Sequence, residues 1–141
     1  MNWSDLRRVR EAGVEIGAHT RTHSDLTQLS PAQLNDETEG CVERILAELG
    51  DRPRRFAYPY GYVNDDVARI ARTIFEHSVT TELRPVASDD DLALLPRIDA
   101  WYFRKSGHLE AWGSAAFRRR LWIRAQGRRV RAMVGPRRVT Q

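Results

Sequence analysis

Residues 14–50 read VEIGAHTRTHSDLTQLSPAQLNDETEGCVERILAELG and join a short apolar run to the most clearly bounded helix of the chain. The run at residues 14–18 predicts a strand. Ser30 and Gln33 form a capping box around a proline at the first helical position, and apolar residues recur at helical spacing until Gly50. We therefore predict a strand, a loop and a long helix, in that order.

Strand and helix patterns alternate on both sides of this segment. A helix capped by Ser4 and ending at Ala12 precedes it, and a strand at residues 55–58 and a helix capped by Asn64 follow it. The remaining predictions are strands at residues 78–81 and 94–98 and a helix at residues 109–121. Alternation with short connections is typical of a parallel sheet or a (β/α) barrel, so we predict an α/β fold with its functional groups at the strand ends.

The order of elements begins with a helix rather than a strand. A right-handed crossover unit has a strand on each side of its helix. We therefore expect a partial (β/α) barrel whose first strand or strands lie upstream of residue 1.

Charge is distributed unevenly along the chain. Residues 1–110 hold 14 Lys and Arg against 19 Asp and Glu, whereas residues 111–141 hold nine arginines and no acid. We therefore divide the chain into a partial domain at residues 1–110 and an arginine-rich C-terminal helix or tail at residues 111–141. The tail interleaves apolar residues with arginine, which is compatible with contact to an anionic membrane surface or to nucleic acid. A solvated end without function is the favoured interpretation, and no nucleic-acid partner is expected.

One cysteine, Cys41, excludes an intrachain disulfide, and its position on the long helix predicts a small core residue. The hydrophobic content of 41% is sufficient for a globular core. No run approaches the roughly 20 apolar residues that a membrane span requires, and the polar residues 1–10 do not resemble a signal peptide. If the chain is taken as it stands, these features predict a cytoplasmic protein.

Two short motifs follow predicted strands. His19 and His23 lie four residues apart, a spacing at which both imidazoles can reach one metal ion. By spacing alone, two loop histidines bonded to backbone carbonyls are the commoner interpretation. The second motif, residues 59–61, reads PYG and by itself predicts a tight turn after a strand. Each motif alone therefore leaves a structural and a functional interpretation open.

Together the two motifs resemble those of the polysaccharide deacetylases, the carbohydrate esterase type of family with the NodB homology domain. Residues 15–26, EIGAHTRTHSDL, resemble the histidine motif of that family, and residues 56–61, FAYPYG, resemble the motif that follows it. The motifs occur in the family's order and spacing, with the capped helix between them. The resemblance extends from Trp3 to Ile98.

This resemblance implies a distorted (β/α) barrel in which His19 and His23 bind a divalent metal, commonly zinc. The metal would activate a water, whose pKa zinc can lower to about 7, for attack on an N-acetyl or O-acetyl carbonyl. The backbone N–H of Tyr60 would stabilise the oxyanion, and Pro59 and the Tyr60 ring would line the substrate groove. The implied partner is an acetylated polysaccharide or glycan. Members of the family are often secreted or bound to the cell envelope, and the oligomeric state stays open.

The chain departs from the family pattern in three respects. The family's aspartate pair, which supplies the catalytic base and a third metal ligand, has no counterpart before His19. Ala57 stands where members often carry an arginine that orients the base, and neither His77 nor His108 matches the motif of the general acid. We therefore expect an N-terminally truncated deacetylase whose activity is weak or absent. A non-catalytic carbohydrate-binding relic is the alternative hypothesis, and a nucleic-acid-binding tail ranks last.

Overall fold

The computed structural model describes residues 1–134 of the chain. Contacts within the backbone divide these residues into two compact units. The first unit contains residues 1–80 and 87–95, and the second contains residues 81–86 and the described residues from Pro96 onward.

The first helix, α1, spans Trp3–Glu11. Its predicted cap at Ser4 is wrong, because Asn2 forms the cap. The Asn2 side chain accepts a hydrogen bond from the backbone N–H of Asp5, and the Asp5 carboxylate accepts one from the backbone N–H of Asn2, both at 3.0 Å. Ser4 donates its hydroxyl proton to the Asn2 side chain, so it supports the cap without forming it.

The long helix, α2, spans Pro31–Leu49, and both of its predicted ends are confirmed. Ser30 and Gln33 form the reciprocal capping box, and Gly50 ends the helix in the left-handed conformation with a φ of 82°. One face of the helix is buried, whereas Leu46, although part of the predicted apolar series, is 41% exposed. The buried residues of α2 are Leu34, Glu37, Thr38, Cys41, Val42, Ile45 and Leu49.

Two short parallel strands form the sheet of the first unit. The strand β1 spans Arg55–Ala57 and the strand β2 spans His77–Val79, so both predicted strands are confirmed within two residues at each end. The helix α3, Asp65–Ile74, lies between them in sequence and begins at the predicted cap, Asn64. Parallel strands joined through a helix confirm the α/β class for this unit.

The strand predicted at residues 14–18 is reduced to one parallel bridge, between Ala18 and Phe56. The Ala18 N–H donates to the carbonyl of Arg55 at 2.8 Å, and the Ala18 carbonyl accepts from the N–H of Ala57 at 3.1 Å. The predicted length is wrong because the residues before Ala18 form no ladder hydrogen bonds with β1. Gly17 still passes close to that strand, since a Cβ at this position would lie 3.2 Å from the carbonyl oxygen of Arg55.

The strand predicted at residues 94–98 is likewise one parallel bridge, between Leu95 and Val79. Leu95 donates to the carbonyl of Ser78 at 2.9 Å and accepts from the N–H of Thr80 at 2.8 Å. Pro96 follows and has no N–H with which to continue the ladder. The prediction gave too long a strand because it ignored this proline.

The core of the first unit is built by β1, α2 and α3. Phe56 stacks on Phe75 with a centroid distance of 4.6 Å and meets the ring of Tyr58 edge-on at 5.2 Å. Tyr58 is buried, and its hydroxyl donates to the carbonyl of Ala93 at 2.7 Å. This packing fixes the end of β1, where the Pro59–Gly61 turn begins.

The helix of the second unit, α4, spans Ala115–Val134. The start predicted at residue 109 is wrong. Gly113 adopts the left-handed conformation with a φ of 78°, and the Ser114 hydroxyl accepts the backbone N–H of Phe117 at 3.1 Å, so the helix begins only after this cap. The buried apolar residues of this unit are Leu83, Phe117 and Leu121.

Most of the predicted arginine-rich tail lies in α4. Residues 135–141 of that tail lie outside the described residues, and the predicted domain boundary after residue 110 stays a prediction. Among the helices of residues 1–134, none is both long enough and apolar enough to cross a membrane.

Candidate functional site

Backbone strain is concentrated in the two motifs. Three residues other than glycine have a positive φ among the described residues: Thr20 at 64°, His23 at 63° and Tyr60 at 58°. A left-handed conformation of such residues costs on the order of 1–3 kcal/mol and persists where surrounding contacts enforce it. The histidine loop and the turn after β1 are therefore held in conformations that a relaxed chain would avoid.

His19 is oriented by the end of β1. Its Nδ1 lies 2.7 Å from the carbonyl oxygen of Ala57. Because a carbonyl oxygen only accepts, Nδ1 carries the proton and Nε2 keeps its lone pair for a ligand. A carbonyl hydrogen-bonded to the other ring nitrogen commonly sets the tautomer of a metal-binding histidine.

His23 lies between His19 and the turn after β1. Its ring centroid is 4.8 Å from that of His19 and 4.7 Å from that of Tyr60, with edge-on geometry in both pairs. The ring of Tyr62 follows at 5.6 Å from Tyr60. The structure thus brings the histidine motif and the PYG turn, which are distant in sequence, to one place.

In the turn after β1, the tyrosine side chains are partly exposed and the proline is buried. Tyr60 and Tyr62 are 40% and 38% exposed, and both imidazoles are exposed. Pro59 is fully buried, so its ring fixes the backbone of the turn rather than the surface of a groove. The exposed part of the site is therefore two imidazoles beside two aromatic rings.

Glu37 of α2 holds the histidine loop and was missed by the sequence analysis. Its buried carboxylate accepts hydrogen bonds from the backbone N–H groups of Arg21 and Thr22, both at 2.9 Å, and from the Thr22 hydroxyl at 2.6 Å. Burial by itself raises the pKa of Glu37, but the bonds from Thr22 and Arg21 outweigh it, and the pKa lies below its usual value. The sequence signal was a carboxylate on the buried face of α2.

A second connection joins the same loop to α2. Arg21 forms an ion pair with Asp36 and crosses the helix at Gly40. A Cβ at Gly40 would lie 3.2 Å from Cδ of Arg21 and 3.1 Å from Oδ1 of Asp36. The absence of a side chain at Gly40 therefore leaves the space in which Arg21 lies.

Cys41 lies behind the histidine loop as a core residue. The side chain is buried, as predicted from its place on the helix. Burial raises the pKa of the Cys41 thiol, against an opposing effect of the His19 backbone. The thiol therefore stays protonated at neutral pH and packs as a small apolar group.

The donor set fits a divalent metal in type but is incomplete in number. Neutral imidazole nitrogens are good zinc ligands, and catalytic zinc sites usually have three protein ligands. Within residues 1–134, no group of three or more His, Cys, Asp or Glu residues is arranged to hold a metal ion. The predicted metal ligands His19 and His23 therefore belong to no group of three donors within the described residues.

The other two histidines belong to other elements of the chain. His77 begins β2, and His108 belongs to the second unit, where its Nδ1 lies 2.8 Å from the carbonyl oxygen of Tyr102. Both were predicted to be structural.

Comparison with known proteins gives the same family from sequence and from structure. A chitooligosaccharide deacetylase of Bradyrhizobium sp. (strain ANU 289) is 35% identical over 63 residues, which are 44% of this chain and 29% of that protein. The deacetylase PplD of Streptococcus pyogenes, solved in complex with acetate, is similar with a TM-score of 0.66 and 27% identity, covering 70% of this chain and 44% of that one.

A family 4 carbohydrate esterase from Streptomyces lividans, also solved with acetate, is similar with a TM-score of 0.54 and 28% identity, covering 58% of this chain and 43% of that one. This chain spans less than half the length of each of these three proteins. The family model of the polysaccharide deacetylases matches residues 1–74, which include both motifs. Since this match covers more than half of the sequence, the chain belongs to the polysaccharide deacetylase family.

Proposed function

We propose that the protein acts in the metal-dependent hydrolytic deacetylation of an acetylated carbohydrate, with the acetyl group on nitrogen or oxygen. The observation that carries this proposal is the grouping of His19, His23 and Tyr60, whose neighbouring ring centroids lie within 4.8 Å. The family supports the reaction class, and we assign the reaction to these residues.

His19 and His23 would hold the metal, which in this family is commonly zinc. The hydrogen bond from Nδ1 of His19 to the Ala57 carbonyl leaves Nε2 as the donor atom. A bound divalent metal supplies Lewis-acid chemistry for the hydrolysis of an acetyl group. The loop that carries both imidazoles is positioned by the Glu37 carboxylate.

Tyr60 would act on the substrate in two ways. Its backbone N–H would donate to the oxygen of the acetyl carbonyl as negative charge develops there. Its ring, with that of Tyr62, would contact the sugar, since both are partly exposed. Pro59 would serve the same groove by fixing the turn that carries Tyr60.

The barrel arrangement of the strands is part of the same proposal. We place Ala18, β1, β2 and Leu95 as consecutive parallel members of a distorted (β/α) barrel, in which the histidine loop and the PYG turn follow the first two. Parallel pairing at all three junctions supports this arrangement.

We also propose that these residues alone give weak turnover or none. Two imidazoles bind zinc less well than three ligands do, and the family's aspartate pair, which supplies the base, has no counterpart before His19 in these residues. The loss of a general base removes roughly 10² to 10⁴ in rate.

Acetate release from an acetylated chitooligosaccharide tests the function. We expect slow release in the presence of zinc, lost on chelation and in His19→Ala, while His77→Ala keeps the rate of the unmodified protein. Release that survives chelation and His19→Ala would refute the metal-dependent assignment. Rapid, zinc-dependent release that His19→Ala abolishes would refute only the expectation of weak turnover.

A non-catalytic carbohydrate-binding protein is the second candidate, favoured by the two-donor site beside the exposed Tyr60 and Tyr62. Sugar binding that persists after chelation, in a protein that binds no zinc, would establish this candidate. Tyr60→Ala should then weaken the binding, whereas His19→Ala should leave it unchanged.

A further inference from the structure

A cavity in the second unit is lined by four cationic side chains. It has a volume of about 530 Å³, and Arg104, Lys105, Arg120 and Arg124 contribute to its wall. Its lining contains no Asp or Glu. Among the described residues, no ion pair with a carboxylate involves any of these four cations.

Arg120 is held in the cavity by a neutral partner. Its Nη1 lies 2.8 Å from Nε2 of His108, and Nδ1 of the same ring lies 2.8 Å from the carbonyl oxygen of Tyr102. A guanidinium only donates, so Nε2 accepts and Nδ1 carries the proton that is donated to Tyr102. His108 therefore orients Arg120 without neutralising its positive charge.

Arg124 is held by aromatic faces. Its guanidinium carbon lies 5.3 Å from the centroid of the Trp101 ring and 5.5 Å from that of the Tyr102 ring. Cation–π contact restrains the group and leaves its N–H donors available at the edge. Trp101 is 51% exposed, so the same ring also offers an apolar wall to a bound molecule.

We propose that this cavity binds a phosphate group carried by a larger molecule. Planar guanidinium donors match phosphate oxygens, and Lys105 adds a further charge. The cavity exceeds the size of an inorganic anion, and the Trp101 wall fits the carrier, which is either a soluble sugar phosphate or a lipid headgroup. This site stands independently of the proposed deacetylation, because none of its residues belongs to the histidine site.

Calorimetric titration of the full 141-residue chain tests the site. In the soluble arm, the protein is titrated with inorganic phosphate and with glucose 6-phosphate at constant chloride concentration. In the lipid arm, flotation measures binding to phosphatidylglycerol–phosphatidylcholine vesicles, with pure phosphatidylcholine vesicles as the control. We expect saturable binding in at least one arm, and the arm identifies the carrier. The double variant R120Q/R124Q should weaken it by about tenfold or more, because charge-assisted hydrogen bonds to phosphate are lost.

The matched control is R118Q/R128Q, which removes the same charge from the same helix at positions that do not line the cavity. It should change the affinity by less than about threefold. Equal weakening by both double variants would show that binding depends on the total charge of α4 rather than on the cavity, and would overturn the proposal. Absence of saturable binding in both arms would overturn it as well. If thermal unfolding shows that R120Q/R124Q is destabilised, the single variant R124Q replaces it, with R128Q as its control; the test on the unmodified chain needs no variant.

Discussion

The two units of the molecule differ in how their cationic side chains are partnered. In the first unit every arginine forms an ion pair with a carboxylate, from Arg7 with Glu48 to Arg72 with Asp91. In the described part of the second unit, Arg84 also pairs with a carboxylate, that of Glu82, but at the cavity Arg120 is held by a neutral imidazole and Arg124 by aromatic rings. Pairing with a carboxylate neutralises a cation, whereas these other partners leave its charge available.

Arginine therefore has different surroundings in the two units. The paired arginines of the first unit belong to the surface of a fold whose proposed site consists of two imidazoles and a strained turn. One acid there departs from the surface pattern, namely Glu37, which is buried and accepts its bonds from the histidine loop. Variants that separate buried from exposed charge test this distinction.

Glu37→Ala should have the largest effect among these charges. It leaves the N–H groups of Arg21 and Thr22 without their acceptor, which should lower the free energy of unfolding by about 2 kcal/mol. Urea unfolding measures the loss. The exposed Glu43, on the same helix, provides the control, since Glu43→Ala should change stability by less than about 0.5 kcal/mol. Equal losses in the two variants would show that Glu37 does not hold the loop.

The acid dependence of stability should report the same carboxylate. The pKa of Glu37 is lowered from its ordinary value of 4.5 in the folded protein, so its stabilisation is complete above that value and is lost as the pH falls through the lower, folded pKa. Glu37→Gln has no such titration and should lose less stability between about pH 5 and pH 3. Parallel stability curves for the two proteins would contradict the assignment.

The smallest effect is expected from an exposed ion pair. Arg8 pairs with Asp5 within α1 at 2.9 Å, with 77% of the arginine side chain exposed. Arg8→Gln should change the free energy of unfolding by less than about 0.5 kcal/mol, because exposed pairs are screened by solvent and salt. A loss comparable to that of Glu37→Ala would remove the distinction between buried and exposed charge in this unit.

Helices were more predictable from the sequence than strands. The capping box of Ser30 and Gln33 is a local signal, and so is the cap at Asn64, because both act on residues within one turn. Strand length depends on partners elsewhere in the chain. Ala18 and Leu95 were placed correctly as parallel neighbours of the sheet, but the ladder around each extends no further.

The residues of the candidate site were predictable from the sequence, but the contacts that hold them in place were predictable only in part. The grouping of His19, His23 and Tyr60 was predicted because their motifs resemble a family, and their roles stay a prediction. Glu37 was not, because its role depends on a loop that folds back onto α2, and helical spacing does not encode that contact. The hydrogen bond between His108 and Arg120 was not predicted for the same reason, since the two residues come into contact only in the folded second unit.

Zinc binding by the full chain tests the central claim most directly. Calorimetric titration should show one zinc ion per chain, with affinity reduced by at least about tenfold in His19→Ala and in His23→Ala. The control H77A/H108A should bind zinc as the unmodified protein does. Zinc affinity that is unchanged in His19→Ala and His23→Ala, or that falls only in H77A/H108A, would contradict the account.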